Sequence, residues 1–140
     1  MQRPVEVLLI EPDPRHATVI HEALEKTCKP CALKVVRDLE ETKRFLDGPG
    51  AADRPSLVIA ELGDPQAPPA AALLRWLRTN ERTKHLPILV LAESEDQTSV
   101  RLAYDLGASS YLVKPQDEKE LGRLADTAVN YWIRLNHPAG

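Results

Sequence analysis

The side chains in this sequence whose types and spacing suggest chemistry are four carboxylates, one lysine and two cysteines. Glu11 and Asp13 follow a short apolar run. Glu61 stands where a second apolar run stops, with Asp64 shortly after it, and Lys114 ends a third run directly before Pro115. If these runs are neighbouring parallel strands, Glu11, Glu61 and Lys114 share one crevice, because sites in open α/β sheets lie at the carboxyl ends of the strands. Cys28-Lys-Pro-Cys31 has the C-x-x-C spacing of thiol–disulfide exchange. Its placement argues against that chemistry. The pair follows the C-terminal end of a helical segment, where the helix dipole has the wrong sign to lower a thiol pKa. Two loop cysteines are the better reading of Cys28 and Cys31. His16, His21, His85 and His137 are scattered and complete no zinc set.

The elements that must position these residues follow from the chain in order. Val5–Ile10 is the first strand. Asp13 serves as the N-cap of a helix with Pro14 at its first position, and Val19, Ile20, Ala23 and Leu24 give that helix a buried face. Residues 32–36 form a second strand and 39–46 a short helix, stopped by Asp47-Gly-Pro-Gly50. The continuous apolar run Leu57, Val58, Ile59 and Ala60, ending at Glu61, suits a strand covered on both faces. Residues 64–69, with three prolines, are a loop. Then follow a helix at 70–78, a strand at 87–91, a helix at 97–106 closed by Gly107, a strand at 109–113, and a last helix from 117 to about 135. Five strands alternating with five helices imply one doubly wound α/β domain with a parallel sheet.

Bulk properties set the bounds. The 140 residues, 43% hydrophobic and 28% charged, suffice for a single domain with its core at about 4–136. A net charge of −3 gives no nucleic-acid footprint. No apolar run reaches the roughly 20 residues of a membrane span, and the N-terminus lacks the apolar stretch of a signal peptide. A cytoplasmic protein is expected.

Val7-Leu-Leu-Ile-Glu11, Pro55-Ser-Leu-Val-Ile-Ala-Glu61, Leu86-Pro-Ile-Leu-Val-Leu-Ala92 and Gly107-Ala-Ser-Ser-Tyr-Leu-Val-Lys-Pro115 together resemble a response-regulator receiver domain of chemotaxis-regulator type. Arg75-Trp-Leu-Arg78, Arg82-Thr-Lys-His-Leu-Pro87 and Tyr131-Trp-Ile-Arg-Leu135 look like stand-alone regulators that partner phytochromes. The resemblance implies a flavodoxin-like (βα)5 fold, a non-enzymatic role in two-component signalling and protein partners, a sensor histidine kinase among them. It also implies an acidic pair, a phosphoryl-accepting Asp, a hydroxyl residue and a Lys at successive strand ends.

The chain departs from that pattern at most of these places. Glu11 fills the first acidic position, but Pro12 occupies the second, and Asp13 stands one residue late. Glu61 replaces the accepting Asp, Ala92 replaces the hydroxyl residue, and Lys114 is intact. Pro69 falls where a Gly commonly sits. Phosphoryl transfer needs positive charge to offset the phosphoryl oxygens, and Mg²⁺ demands near-octahedral geometry. The extra methylene of Glu61 shifts its carboxyl by about 1.5 Å, one chain bond, and a misplacement of roughly 1 Å can cost on the order of 10²-fold in rate. A pseudo-receiver acting by phosphorylation-independent protein contact is therefore expected, with no cofactor. A metal would have only Glu11, Asp13 and Glu61. Glu61 then either imitates a phosphorylated Asp or is inert, pairing with Lys114 in both cases; the loss of a hydroxyl at Ala92 favours the inert reading. The alternative is an active receiver that accepts on Glu61 or Asp64 with Mg²⁺, and a third reading is a thiol–disulfide protein through Cys28 and Cys31.

The face formed by helix four, strand five and helix five commonly dimerises or docks partners in this family. Tyr111 matches the family's rotameric aromatic. Leu121, Leu124, Ala125, Ala128, Trp132 and Leu135 make one stripe on the last helix, and Val129 and Ile133 a second. Two stripes point to a homodimer through this face, with Trp132 and Ile133 in the interface. The competing reading is that Trp132 and Ile133 pack the chain's own end.

Overall fold

The computed structural model describes residues 5–27, 31–48 and 55–135. Five strands, β1 (Val5–Ile10), β2 (Cys31–Val36), β3 (Leu57–Gly63), β4 (Ile88–Ala92) and β5 (Ser110–Val113), alternate with five helices. These are α1 (Pro14–Thr27), α2 (Leu39–Asp47), α3 (Pro68–Thr79), α4 (Gln97–Asp105) and α5 (Glu118–Asn130). The strands form one parallel sheet in the order β2-β1-β3-β4-β5. This is the doubly wound, flavodoxin-like arrangement, with its switch point between β1 and β3.

Alternation along the strands builds two apolar layers, since successive side chains point to opposite faces. Leu8, Ile10, Val58, Ala60, Ile88 and Val90 face Leu73, Leu74 and Leu77 of α3 and Ala103 of α4. Val7, Leu9, Leu57, Ile59, Leu89 and Leu91 face Ile20 and Leu24 of α1 and Leu121, Ala125 and Val129 of α5. The central strands are buried on both sides, which is why they carry continuous apolar runs rather than alternating ones.

Three local details refine the sequence expectations. β3 runs two residues past Glu61, and its register against β4 shifts between Glu61 and Gly63. The positive φ of Gly63 (66°) suits such a bulge. α3 begins at Pro68, earlier than the hydrophobic spacing suggests, because Pro68 and Pro69 carry no N–H and fit a first helical turn. α4 ends at Asp105, with Leu106 as C-cap and Gly107 following it at φ 113°.

Asp13 accepts the Arg15 N–H at 2.9 Å and so caps α1 as expected. At the other end of the chain α5 runs into a final, wider turn, Tyr131–Leu135. Trp132 and Ile133 are half-buried there and pack against the α1–α5 core layer, which favours the own-end packing reading for both. The large exposed hydrophobics among the described residues are Tyr104, Val113 and Tyr131 instead. Tyr131 and Trp132 meet edge to face, their ring centroids 5.8 Å apart.

Candidate functional site

The carboxyl ends of β1, β3, β4 and β5 bring Glu11, Glu61, Ala92 and Lys114 to one end of the sheet, as parallel strands require. Glu11, just past β1, is 1% exposed. Its backbone N–H is held by the Val36 carbonyl of β2 at 2.9 Å. Lys114, just past β5, donates from its backbone N–H to the Ala92 carbonyl at 2.8 Å. Its ammonium lies 2.7 Å from Glu11 Oε1, with both side chains almost wholly buried. Glu11 Oε2 accepts the Asp13 N–H at 3.1 Å, so both of its oxygens are engaged. The short ion pair thus joins β5 to β1 across the site.

Glu61 takes no part in that pair. Its Oε1 turns back to accept the Gly63 N–H at 2.8 Å across the bulge. This corrects the expectation that Lys114 would pair with Glu61: among the described residues the lysine's ion pair is with Glu11, and it acts on Glu61 only from longer range. Burial pushes the Glu61 carboxyl above the ordinary glutamate range; the Gly63 N–H and the Lys114 charge pull it down, and Glu11 and Glu93 add to the rise. Desolvation is the larger effect.

Ala92 is fully buried and carries no hydroxyl. Asp64, exposed on the β3–α3 loop, spends its Oδ1 on the Gln66 N–H at 2.9 Å. Asp13 lies at the start of α1, its carboxyl held below the usual range by the Arg15 N–H. No group of three or more His, Cys, Asp or Glu side chains placed to hold a metal occurs among the described residues. Glu11, Asp13 and Glu61, the three carboxylates open to a metal on sequence, are each turned to a different protein partner. Pro12 offers no side-chain donor. The residues present do not fit a divalent ion. Of the C-x-x-C pair, Cys28 lies outside the described residues; Cys31 opens β2, half-buried against the α1–α5 layer.

One residue of this end was not legible in the sequence. Gln66 Nε2 donates to Asp96 Oδ2 at 3.1 Å and to the buried Ser99 Oγ at 3.0 Å, tying the β3–α3 loop to the start of α4. Nearby, the Tyr111 ring packs into the α3–α4 layer and its hydroxyl donates to the Ser94 carbonyl at 2.6 Å.

A five-stranded 2-1-3-4-5 sheet with an acidic residue and a lysine at the ends of β1 and β5 defines a receiver-type α/β domain. No family model matches the chain. It is 28% identical over 140 residues to the probable methanogenesis regulatory protein FilR2 of Methanothrix harundinacea, covering 98% of this chain and 89% of that one. It is 25% identical over 133 residues to the response regulator Rcp1 of Synechocystis sp., covering 93% and 90%. Among solved structures, the phosphorylated cyanobacterial phytochrome response regulator RcpA superposes with a TM-score of 0.85 at 23% identity, covering 99% of this chain and all (100%) of that one. The Mn²⁺-bound form of Rcp1 superposes at 0.82 with 24% identity, covering 98% and 100%. The chain thus has the receiver fold and is similar over nearly its whole length to response regulators of two-component signalling.

Proposed function

We propose that this receiver is a pseudo-receiver, a cytoplasmic and non-enzymatic signalling protein that works by protein–protein contact without a phosphoryl cycle. The observation that carries the reading is the buried Glu11–Lys114 pair at 2.7 Å, with Glu61 folded onto its own strand's bulge. The positive charge that a phosphoryl group would need is already spent. Ala92 has no hydroxyl to bind such a group. In place of a switch, Gln66 holds the start of α4, and Tyr111 is turned inward onto Ser94. Both contacts favour one standing arrangement of the α4–β5–α5 face. Tyr104 of α4, Val113 of β5 and Tyr131 beyond α5 supply exposed apolar side chains for a partner there, a second copy of the chain being the first candidate and a sensor histidine kinase the other.

The second reading is a working receiver that accepts on Glu61 or Asp64. It draws support from the relatives, since RcpA was solved phosphorylated and Rcp1 with Mn²⁺. Intact mass after incubation with acetyl phosphate, with and without Mg²⁺, separates the two. The pseudo-receiver gains no phosphoryl mass under either condition. A Mg²⁺-dependent gain of one phosphoryl group would overturn it.

A further inference from the structure

A cleft of about 390 Å³ opens beside the starts of α2 and α3, walled by Ile10, Leu39, Leu62, Pro69 and Leu73, with Glu61 in its lining. Its volume falls in the range of about 300–1,000 Å³ typical of small-molecule sites, and apolar walls with a few placed polar groups are what such sites show. The proposed signalling role makes no use of it.

The charge of the lining decides what the cleft would take. Glu61, Asp38 and Glu40 bring three acids against one base, Arg37. That base is held by Glu41 outside the lining, Nε at 2.9 Å and Nη2 at 2.8 Å from Oε2. Of the acids, Glu40 has Lys43 at 3.8 Å, whereas Glu61 and Asp38 have no ion-pair partner within 4 Å among the described residues. The starts of α2 and α3 favour negative charge, but each counts for only about half a unit, and Pro68 and Pro69 leave α3 without its first N–H donors. The acidic surplus therefore survives the dipoles. Glu61 is half-buried in an apolar wall, offset only by the Gly63 N–H and the more distant Lys114 charge, and a carboxylate so placed is costly. The rise in its pKa through burial has the same origin.

We propose that this cleft binds a small organic cation, a primary ammonium on a short alkyl or aryl body, with Glu61 fixing the ammonium and Leu39, Leu62 and Leu73 covering the body. The site is independent of the pseudo-receiver reading, because phosphorylation is read by mass and cation binding by chemical shift.

The test is a titration of the ¹⁵N-labelled full chain with n-hexylammonium, and in parallel with n-hexanol as its neutral counterpart. Saturable shifts centred on the amides of Leu39, Gly63 and Leu73 are expected with the ammonium. Glu61→Gln should weaken its binding by about tenfold or more, the scale of one charge-assisted hydrogen bond, while leaving hexanol unaffected. Ala72→Phe, at an exposed position on the lip, should fill the cleft and abolish the shifts. Shifts that fail to saturate, that centre elsewhere, or that persist at wild-type affinity in Glu61→Gln would overturn the proposal. Should that variant not fold, undiminished binding by Ala72→Phe would overturn it equally.

Discussion

Lys114 and Glu11 meet at 2.7 Å with side chains 4% and 0% exposed, so that the end of β5 is tied to the end of β1 by charges almost wholly removed from water. Removing one partner leaves the other buried and uncompensated. Lys114→Ala is therefore expected to cost roughly 3–5 kcal/mol. Replacing both at once, as Glu11→Leu with Lys114→Met, should recover most of that loss, because desolvating two charges consumes much of what their attraction returns. Urea denaturation of the two variants beside wild type checks this. A double variant no more stable than Lys114→Ala would mean that the pair does more than offset its own burial.

Glu61 gives stability a pH dependence of definite sign. Burial raises its folded-state pKa above the unfolded value, so the folded chain holds this proton to higher pH than the unfolded chain does. The protonated form's contribution is complete below the unfolded pKa and is lost as pH rises through the folded one. Asp13 and Glu41 are shifted the opposite way, by the Arg15 N–H and by the Arg37 side-chain hydrogen bond, and so lose stability as pH falls. Comparing wild type with Glu61→Gln cancels these two. The variant is expected to melt higher at neutral pH, with the gap closing as pH falls into the ordinary glutamate range. Thermal melts across that window decide it, and a gap that stays constant with pH would remove Glu61 as its source.

Arg78 forms a second, half-buried hub at the opposite end of the sheet. Its guanidinium donates to the carbonyls of Gly107 at 2.8 Å, Leu86 at 2.7 Å and Lys84 at 3.1 Å, and to Ser109 Oγ at 3.2 Å. Partial burial pulls its pKa down. A Cβ at position 107 would stand 2.5 Å from Arg78 Cγ, on a backbone with φ of 113° that side chains rarely adopt. Gly107→Ala should thus displace the arginine as well as strain the backbone, at a cost of roughly 2–4 kcal/mol. Arg78→Lys, which keeps the charge and loses the fork, should be destabilised by a similar amount. Equilibrium unfolding of both variants tests the hub; a loss of under about 0.5 kcal/mol in either would place it among ordinary surface contacts.

The frame of this molecule was legible because its strands are short, continuous apolar runs. Leu57 to Ala60 admits hardly any reading except a strand buried on both faces, and the order of elements then places Glu11, Glu61 and Lys114 at one end. The choice of partner among those three was not legible. Strand order says which carboxylates converge on a lysine, but the bulge at Gly63, which presents a backbone N–H to Glu61, depends on a register shift with no sequence signature. Gln66 was missed for a related reason, as its partners Asp96 and Ser99 lie about thirty positions away and are joined to it only by loop geometry. On α5, helical spacing found the apolar residues but assigned Trp132 and Ile133 to a partner interface, whereas both pack against the chain's own core layer.

Gln66 and Tyr111 carry the last expectation, that the start of α4 is held by neutral side chains in the absence of any phosphoryl group. Gln66 Nε2 reaches both Asp96, the N-cap of α4, and Ser99 within its first turn, while Tyr111 anchors the loop before them at Ser94. Such bonds contribute about 0.5–1.5 kcal/mol each, too little to govern global unfolding but enough to set local opening. Gln66→Ala should speed amide exchange at Ser99 and Val100 by several-fold and leave the amides of β1 unchanged. Tyr111→Phe, which keeps the ring in the α3–α4 layer and loses only the hydroxyl, should loosen residues 93–96 more than α4 itself. Native-state hydrogen exchange resolves both effects. Uniform acceleration across the sheet would point to a global loss of stability, and unchanged exchange at α4 would leave the Gln66 contacts without a holding role.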